Sequence, residues 1–192
     1  MRDKMTTHAP SGARARNDDL KALVRTIPDY PIPGIQFRDV STLLLDGWGF
    51  RETIDRLAAM AEPDEVDLIA GIEARGFIVA AALSYALRKG KLMLRKKGKL
   101  PGDTVGIDYA LEYGTDRIEM HQGAVRPGQR VLIVDDLLAT GGTALAGASL
   151  LRGEGAIVEQ ALFIVDLPEL GGGERLKAAG IAPRALLTFE GH

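Results

Sequence analysis

An α/β fold with a central, mostly parallel sheet covered by helices on both faces is what the sequence predicts. Three observations predict it. Two strand–loop–helix–strand units follow one another, the first over Val66–Arg95 and the second over Val131–Val165. The run Val131–Val134 is apolar without interruption, as a strand buried on both faces requires. The chain has 192 residues, 46% of them hydrophobic and 26% charged, the size and balance of one globular domain.

Taken in order, residues 1–17 are polar, with Pro10, Gly12 and three arginines, and read as a mobile tail before a single domain over 18–192. Asp18–Thr26 places Leu20, Leu23 and Val24 at helical spacing, so a short helix is expected to end before Pro28. Tyr30–Asp39 reads as irregular, because two prolines and a glycine interrupt it. Trp48–Ala61 has helical period through Phe50, Ile54, Leu57 and Met60. Val66–Gly71 is a short strand, Gly76–Arg88 a helix and Lys91–Arg95 the next strand. Leu100–His121, with Pro101, Gly102, Gly106 and Gly114, leaves a long loop or a loose hairpin open. Val131–Val134 is then a strand, Asp135–Gly142 a loop, Thr143–Arg152 a helix and Ile157–Val165 a strand.

Several classes of function are excluded or disfavoured. Lysine plus arginine (24) against aspartate plus glutamate (26) gives a net charge of −2, so no chain-wide affinity for nucleic acid is expected. The absence of cysteine removes disulfides, thiolate nucleophiles and cysteine-based zinc sites. No apolar run approaches the roughly 20 residues that span a bilayer, and the N-terminus lacks the apolar stretch of a secretory signal. The expected location is the cytoplasm. His8, His121 and His192 are too dispersed to suggest a metal site.

The segment Val131–Thr143, VLIVDDLLATGGT, carries the chemistry. An apolar strand presents Asp135 and Asp136, a glycine-bearing loop follows, and Thr143 stands where a helix N-cap is expected. Ligands of open α/β sheets bind beyond the carboxyl ends of the strands, where a helix N-terminus offers unpaired amides to an anion. Ala139–Thr143 can therefore hold a phosphate. The acids suit neutral hydroxyls or a metal; because carboxylates repel phosphate but accept hydrogen bonds from hydroxyls, acids and loop together describe a ribose 5-phosphate site. The plain alternative is a strand ending in a solvated acidic turn. The loop lacks the G-K-[ST] of a nucleotide-hydrolysing P-loop and the G-x-G-x-x-G of a dinucleotide site.

At these residues the sequence resembles the type I phosphoribosyltransferases, whose motif is an apolar strand, two acids and a threonine/glycine-rich loop. The resemblance runs from about Tyr30 to His192 through PGIQFRDV, AGIEARGF, RKKGKLPG with LEYGT, and VDDLLATGGT. Taken as a set, these segments point to the branch that acts on adenine. The resemblance implies a type I phosphoribosyltransferase-like sheet with a small N-terminal hood, a base-covering segment near 28–40 and a flexible lid near 100–121. It implies conversion of adenine and 5-phosphoribosyl-1-pyrophosphate (PRPP) to AMP and pyrophosphate, with Mg²⁺ held mainly by the substrate and no protein metal ligand, in a homodimer. A phosphoribosyltransferase for hypoxanthine, guanine or xanthine is the alternative, or a non-catalytic PRPP-binding regulator.

Residue by residue, the resemblance assigns Ala139, Thr140, Gly141, Gly142 and Thr143 to the 5-phosphate, and Asp135 and Asp136 to the ribose hydroxyls. It assigns Arg75, Arg95, Lys96 and Lys99 to pyrophosphate. Gln36, Phe37, Arg38 and Leu167 would hold adenine, with Phe37 and Leu167 against its two faces. Glu112 would be the catalytic acid/base at the imidazole ring of the purine. Read without the resemblance, Arg95–Lys99 is a solvated basic run, Phe37 is core and Glu112 is an acid in a loop.

Overall fold

The computed structural model describes residues 17–110 and 114–191. Of the expected N-terminal tail only Asn17 falls within them, and it is anchored: its side-chain amide donates to the Leu186 carbonyl at 2.8 Å. The chain runs α1 (Asp18–Lys21), β1 (Arg25–Pro28), β2 (Gln36–Asp39), α2 (Ser41–Leu45), α3 (Gly47–Met60), β3 (Leu68–Ile72), α4 (Gly76–Leu87) and β4 (Gly90–Lys96). It continues β5 (Thr104–Ala110), β6 (Thr115–His121), β7 (Arg130–Leu138), α5 (Gly142–Gly153), β8 (Ile157–Asp166), α6 (Gly172–Ala178) and β9 (Ala182–Thr188).

Seven strands form one sheet in the order β5-β6-β4-β3-β7-β8-β9, and β1 pairs with β2 apart from it. Pairs from β4 through β9 are parallel, while the β5–β6 hairpin joins β4 antiparallel. Each central strand feeds both faces. Ile69, Leu132, Val134 and Leu162 pack with Leu57, Val79 and Leu83 of α3 and α4. Ala70, Ile72, Ile133 and Phe163 pack with Ala148 and Leu151 of α5. A fully buried leucine or valine contributes about 1.5–3 kcal/mol, so the two layers hold the sheet edge rigid where the loops leave it.

Two sequence expectations change and one open alternative is decided. Tyr30–Asp39 is irregular only through the prolines; Gln36–Asp39 pairs antiparallel with Arg25–Pro28, and the helix expected over Asp18–Thr26 ends at Lys21. Leu100–His121 takes the hairpin form, with Thr104–Ala110 against Thr115–His121. Strand β7 does not stop at Val134. Asp135, Leu137 and Leu138 find partners in Phe163, Val165 and Asp166, so the ladder carries the strand through both acids.

Candidate active site

The site forms where the sheet reverses its order of winding. From β3 the chain passes through α4 to β4 on one side, and from β7 through α5 to β8 on the other. Strands β3 and β7 are neighbours, so their two carboxyl-end loops face each other across a crevice, the usual ligand position of such sheets.

The first loop, Ala139–Gly141, is shaped for an anion. Gly141 caps α5 with φ 77°, a left-handed conformation that side-chain-bearing residues avoid. Thr143 is therefore not the N-cap expected from sequence; it lies inside the first helical turn. The loop carbonyls are already used: Ala139 accepts from the Gly172 amide at 3.0 Å and Thr140 from Arg175 at 3.2 Å. The amides of Thr140, Gly141, Gly142 and Thr143 have no partner among the described residues and stand at the positive end of α5.

The two acids face opposite sides of β7, as consecutive strand residues must. Asp135 faces the α5 side, in a cavity of about 230 Å³ that it lines with Ile72, Glu73, Lys96, Tyr109, Asp116 and Thr143. Burial, reinforced by the charge of Asp136, pushes its carboxyl well above the ordinary aspartate range. Asp136 is buried on the α4 side, where its Oδ2 accepts from Arg75 Nε at 2.5 Å. Burial works against the Arg75 charge, but the hydrogen bond and charge of Asp136 prevail, with Asp135 and Asp39 adding to them. Gly76, after Arg75, permits this contact. A Cβ there would lie 2.6 Å from Asp135 Oδ1 and 3.0 Å from the Val134 carbonyl.

The basic residues divide. Arg95 pairs with Glu73 at 3.2 Å and donates to the Lys99 carbonyl at 2.9 Å. Lys96 reaches Asp116 at 3.3 Å and borders the Asp135 cavity. The Lys99 ammonium forms no hydrogen bond or ion pair among the described residues, though its charge acts on Glu73. Burial opposes the Glu73 charge, yet the hydrogen bonds from Arg95 and the Lys96 amide keep its carboxyl below the ordinary range.

Tyr109 and Asp116 were not singled out from sequence. They are register partners on the β5–β6 hairpin. The Tyr109 hydroxyl donates to Asp116 at 3.3 Å and accepts from Thr143 at 3.5 Å, which ties the hairpin to the first turn of α5. The alternation Val105, Ile107, Tyr109, all packed toward the α5 core, was the available signal.

Strand β2 is tied to the C-terminal residues. Arg38 donates to the carbonyls of Glu190 and Gly191, at 2.9 and 3.2 Å, and its guanidinium lies over the Phe189 ring. Phe37 meets Tyr30 edge-on at a centroid distance of 5.2 Å. Gln36 pairs with Pro28 in the strand register. Leu167 is buried, its amide bonded to the Leu138 carbonyl, so it stands beside the end of β7. Glu112 lies outside the described residues, as do His8 and His192, while His121 bonds the Pro101 carbonyl at 3.1 Å. Among the described residues no group of three or more His, Cys, Asp or Glu could hold a metal, and no helix is long and apolar enough to cross a membrane.

Comparison with known proteins gives one consistent answer. Residues 45–174 match the phosphoribosyl transferase domain family. The adenine phosphoribosyltransferase of Sphingopyxis alaskensis is 58% identical over 173 residues, covering 90% of this chain and 94% of its own. That of Erythrobacter litoralis is 57% identical over 175 residues, covering 91% and 98%. The crystal structure of adenine phosphoribosyltransferase from Thermoanaerobacter pseudethanolicus aligns with a TM-score of 0.84 at 46% identity, covering 90% of this chain and 99% of the other. The Saccharomyces cerevisiae enzyme, crystallised with an imino-altritol bisphosphate and adenine, aligns at 0.83 with 33% identity, covering 88% and 97%.

Proposed function

The chain belongs to the phosphoribosyltransferase family, and we propose that it converts adenine and PRPP to AMP and pyrophosphate. The observation that carries this reading is the meeting of two strand-to-helix loops at one crevice: unpaired amides on the first, a guanidinium beside a buried carboxylate on the second. A phosphorylated pentose bearing a diphosphate matches both.

In this reading the amides of Ala139–Thr143 hold the 5-phosphate, and Asp135 and Asp136 accept from the ribose hydroxyls. Arg75 binds the diphosphate, with Arg95, Lys96 and Lys99 around it. Adenine lies between Phe37 and Leu167, with the backbone of Gln36 and Arg38 at its Watson–Crick edge. The N9 lone pair of adenine forms the bond to C1′ as the C1′–oxygen bond breaks and its electron pair leaves with pyrophosphate. Glu112 takes the proton that the base then loses from N7, a transfer favoured when the hairpin excludes water.

Mg²⁺ supplies charge screening for the departing diphosphate. The donor set fits an ion carried mainly by substrate and water, because Asp136 is turned to Arg75, and of the three acids lining the cavity Glu73 pairs with Arg95 and Asp116 with Lys96, which leaves Asp135. A cytoplasmic homodimer is also proposed. Support for the dimer comes from α4, which has no charged residue from Gly76 to Leu87 yet leaves Ile78 48% and Tyr85 89% exposed.

The test is AMP formation from adenine and PRPP, with and without Mg²⁺, beside a panel of purine bases. Adenine is expected to be the best substrate. Faster turnover of guanine or xanthine would overturn the base assignment, and an unchanged PRPP affinity in Thr140→Val would remove the phosphate assignment.

A further inference from the structure

We infer that the Arg75–Asp136 ion pair is a latch displaced more readily when diphosphate and ribose are both present, so that it couples the two subsites. The inference rests on the roles proposed above and adds to them a reason why these two residues touch in the free protein. Arg75 Nε stands 2.5 Å from Asp136 Oδ2, and the two side chains are 47% and 8% exposed. The residue proposed for pyrophosphate and one proposed for ribose therefore occupy each other.

Consider each ligand alone. Pyrophosphate that draws Arg75 away leaves Asp136 as a buried carboxylate without its partner, a costly state. Ribose hydroxyls that take up Asp136 leave the half-exposed guanidinium with less charge compensation. With both ligands present, the exchange completes: the guanidinium gains a polyanionic partner, and the buried carboxylate gains hydroxyl donors. The loops need not travel, because Gly76 already abuts the backbone of Val134 and Asp135. The guanidinium has only to turn.

Two sets of titrations decide the matter. Inorganic pyrophosphate is titrated calorimetrically into the free protein and into protein saturated with ribose 5-phosphate, for wild type and for Asp136→Asn. In wild type, ribose 5-phosphate is expected to tighten pyrophosphate on the order of threefold to tenfold, the scale of a charge pair with one exposed partner. Asp136→Asn should bind pyrophosphate to the free protein more tightly than wild type by a similar factor, and lose the assistance. Independent binding of the two ligands in wild type overturns the inference, as does unchanged or weaker pyrophosphate binding in a folded Asp136→Asn. Wild type that binds neither ligand sinks the site assignment instead. Should Asp136→Asn fail to fold, the wild-type coupling decides alone.

Discussion

Gly76→Ala sets two known effects against each other. Gly76 is the first residue of α4, where replacing glycine by alanine would ordinarily gain up to about 1 kcal/mol of helix stability. Here the new methyl would lie 2.6 Å from Asp135 Oδ1, 3.0 Å from the Val134 carbonyl and 3.1 Å from Asp135 Cα. Ordinary carbon contacts are about 3.5–4.0 Å, so the start of α4 must retreat by roughly 0.5–1 Å. Two of the three obstacles are backbone, and overpacking of this kind costs about 1–3 kcal/mol. Overlap wins over propensity. The retreat also carries Arg75 away from Asp136, and a misplacement near 1 Å can cost about 100-fold in rate.

Gly47 is the matched control: it opens α3 in the same position, with nothing within 4 Å of its would-be methyl. The assay is thermal melting together with initial rates of AMP formation at varied PRPP. Gly47→Ala should melt at or above wild type, and Gly76→Ala roughly 2–8 °C below Gly47→Ala, with kcat/KM for PRPP lowered at least about tenfold. Equal melting and wild-type kcat/KM in Gly76→Ala would refute the reasoning.

Three further outcomes are expected. Glu112→Ala should lower kcat far more than it weakens adenine binding, as loss of an interaction made mainly in the transition state requires; an unchanged kcat strips Glu112 of its role. Asp135→Asn should stabilise the free protein at alkaline pH. Burial and the charge of Asp136 raise the folded-state pKa of Asp135 above 3.8, so the fold favours the protonated acid. Stability is thus lost as pH rises from the unfolded value through the folded one, and asparagine escapes that loss. Melting curves across pH should show the advantage at about pH 8 and its closure toward about pH 4; a gap that widens on acidification contradicts the sign. Ile78→Glu with Tyr85→Glu, on the uncharged face of α4, should convert a dimer to monomer in sedimentation runs, and an intact dimer would place the interface elsewhere.

The parallel half of the fold was legible because its signals are local. Apolar runs at Leu68–Ile72 and Val131–Val134, each followed by a glycine and a helical stretch, mark buried strands turning into helices wherever they stand in the chain. The antiparallel parts were not, because their partners are remote or weakly apolar. Strand β2 depends on β1, and residues 104–121 needed β4 beside them before alternation around Gly106 and Gly114 could settle as a hairpin. The end of β7 was misjudged for the same reason. Nothing in Asp135–Leu138 announces a strand until Phe163, Val165 and Asp166 offer it a ladder.

That extension of β7 changes what a pair of adjacent acids means. In a loop, Asp135 and Asp136 could turn to one ligand as equivalent groups. On a strand they cannot, since successive side chains point to opposite faces. The helix after β3 covers one face of the sheet and the helix after β7 covers the other, so a ligand astride the crevice meets both. Asp135 lines the cavity under α5 while its Oδ1 abuts the start of α4, and Asp136 takes the guanidinium that opens α4. The sequence displays two carboxylates side by side, but only the register with β8 and the sidedness of the helices assign them different work. If adjacency were mere redundancy, asparagine at either position would have similar consequences. Beyond the ribose contacts both would lose, Asp135→Asn is expected to act on pH-dependent stability and Asp136→Asn on pyrophosphate affinity.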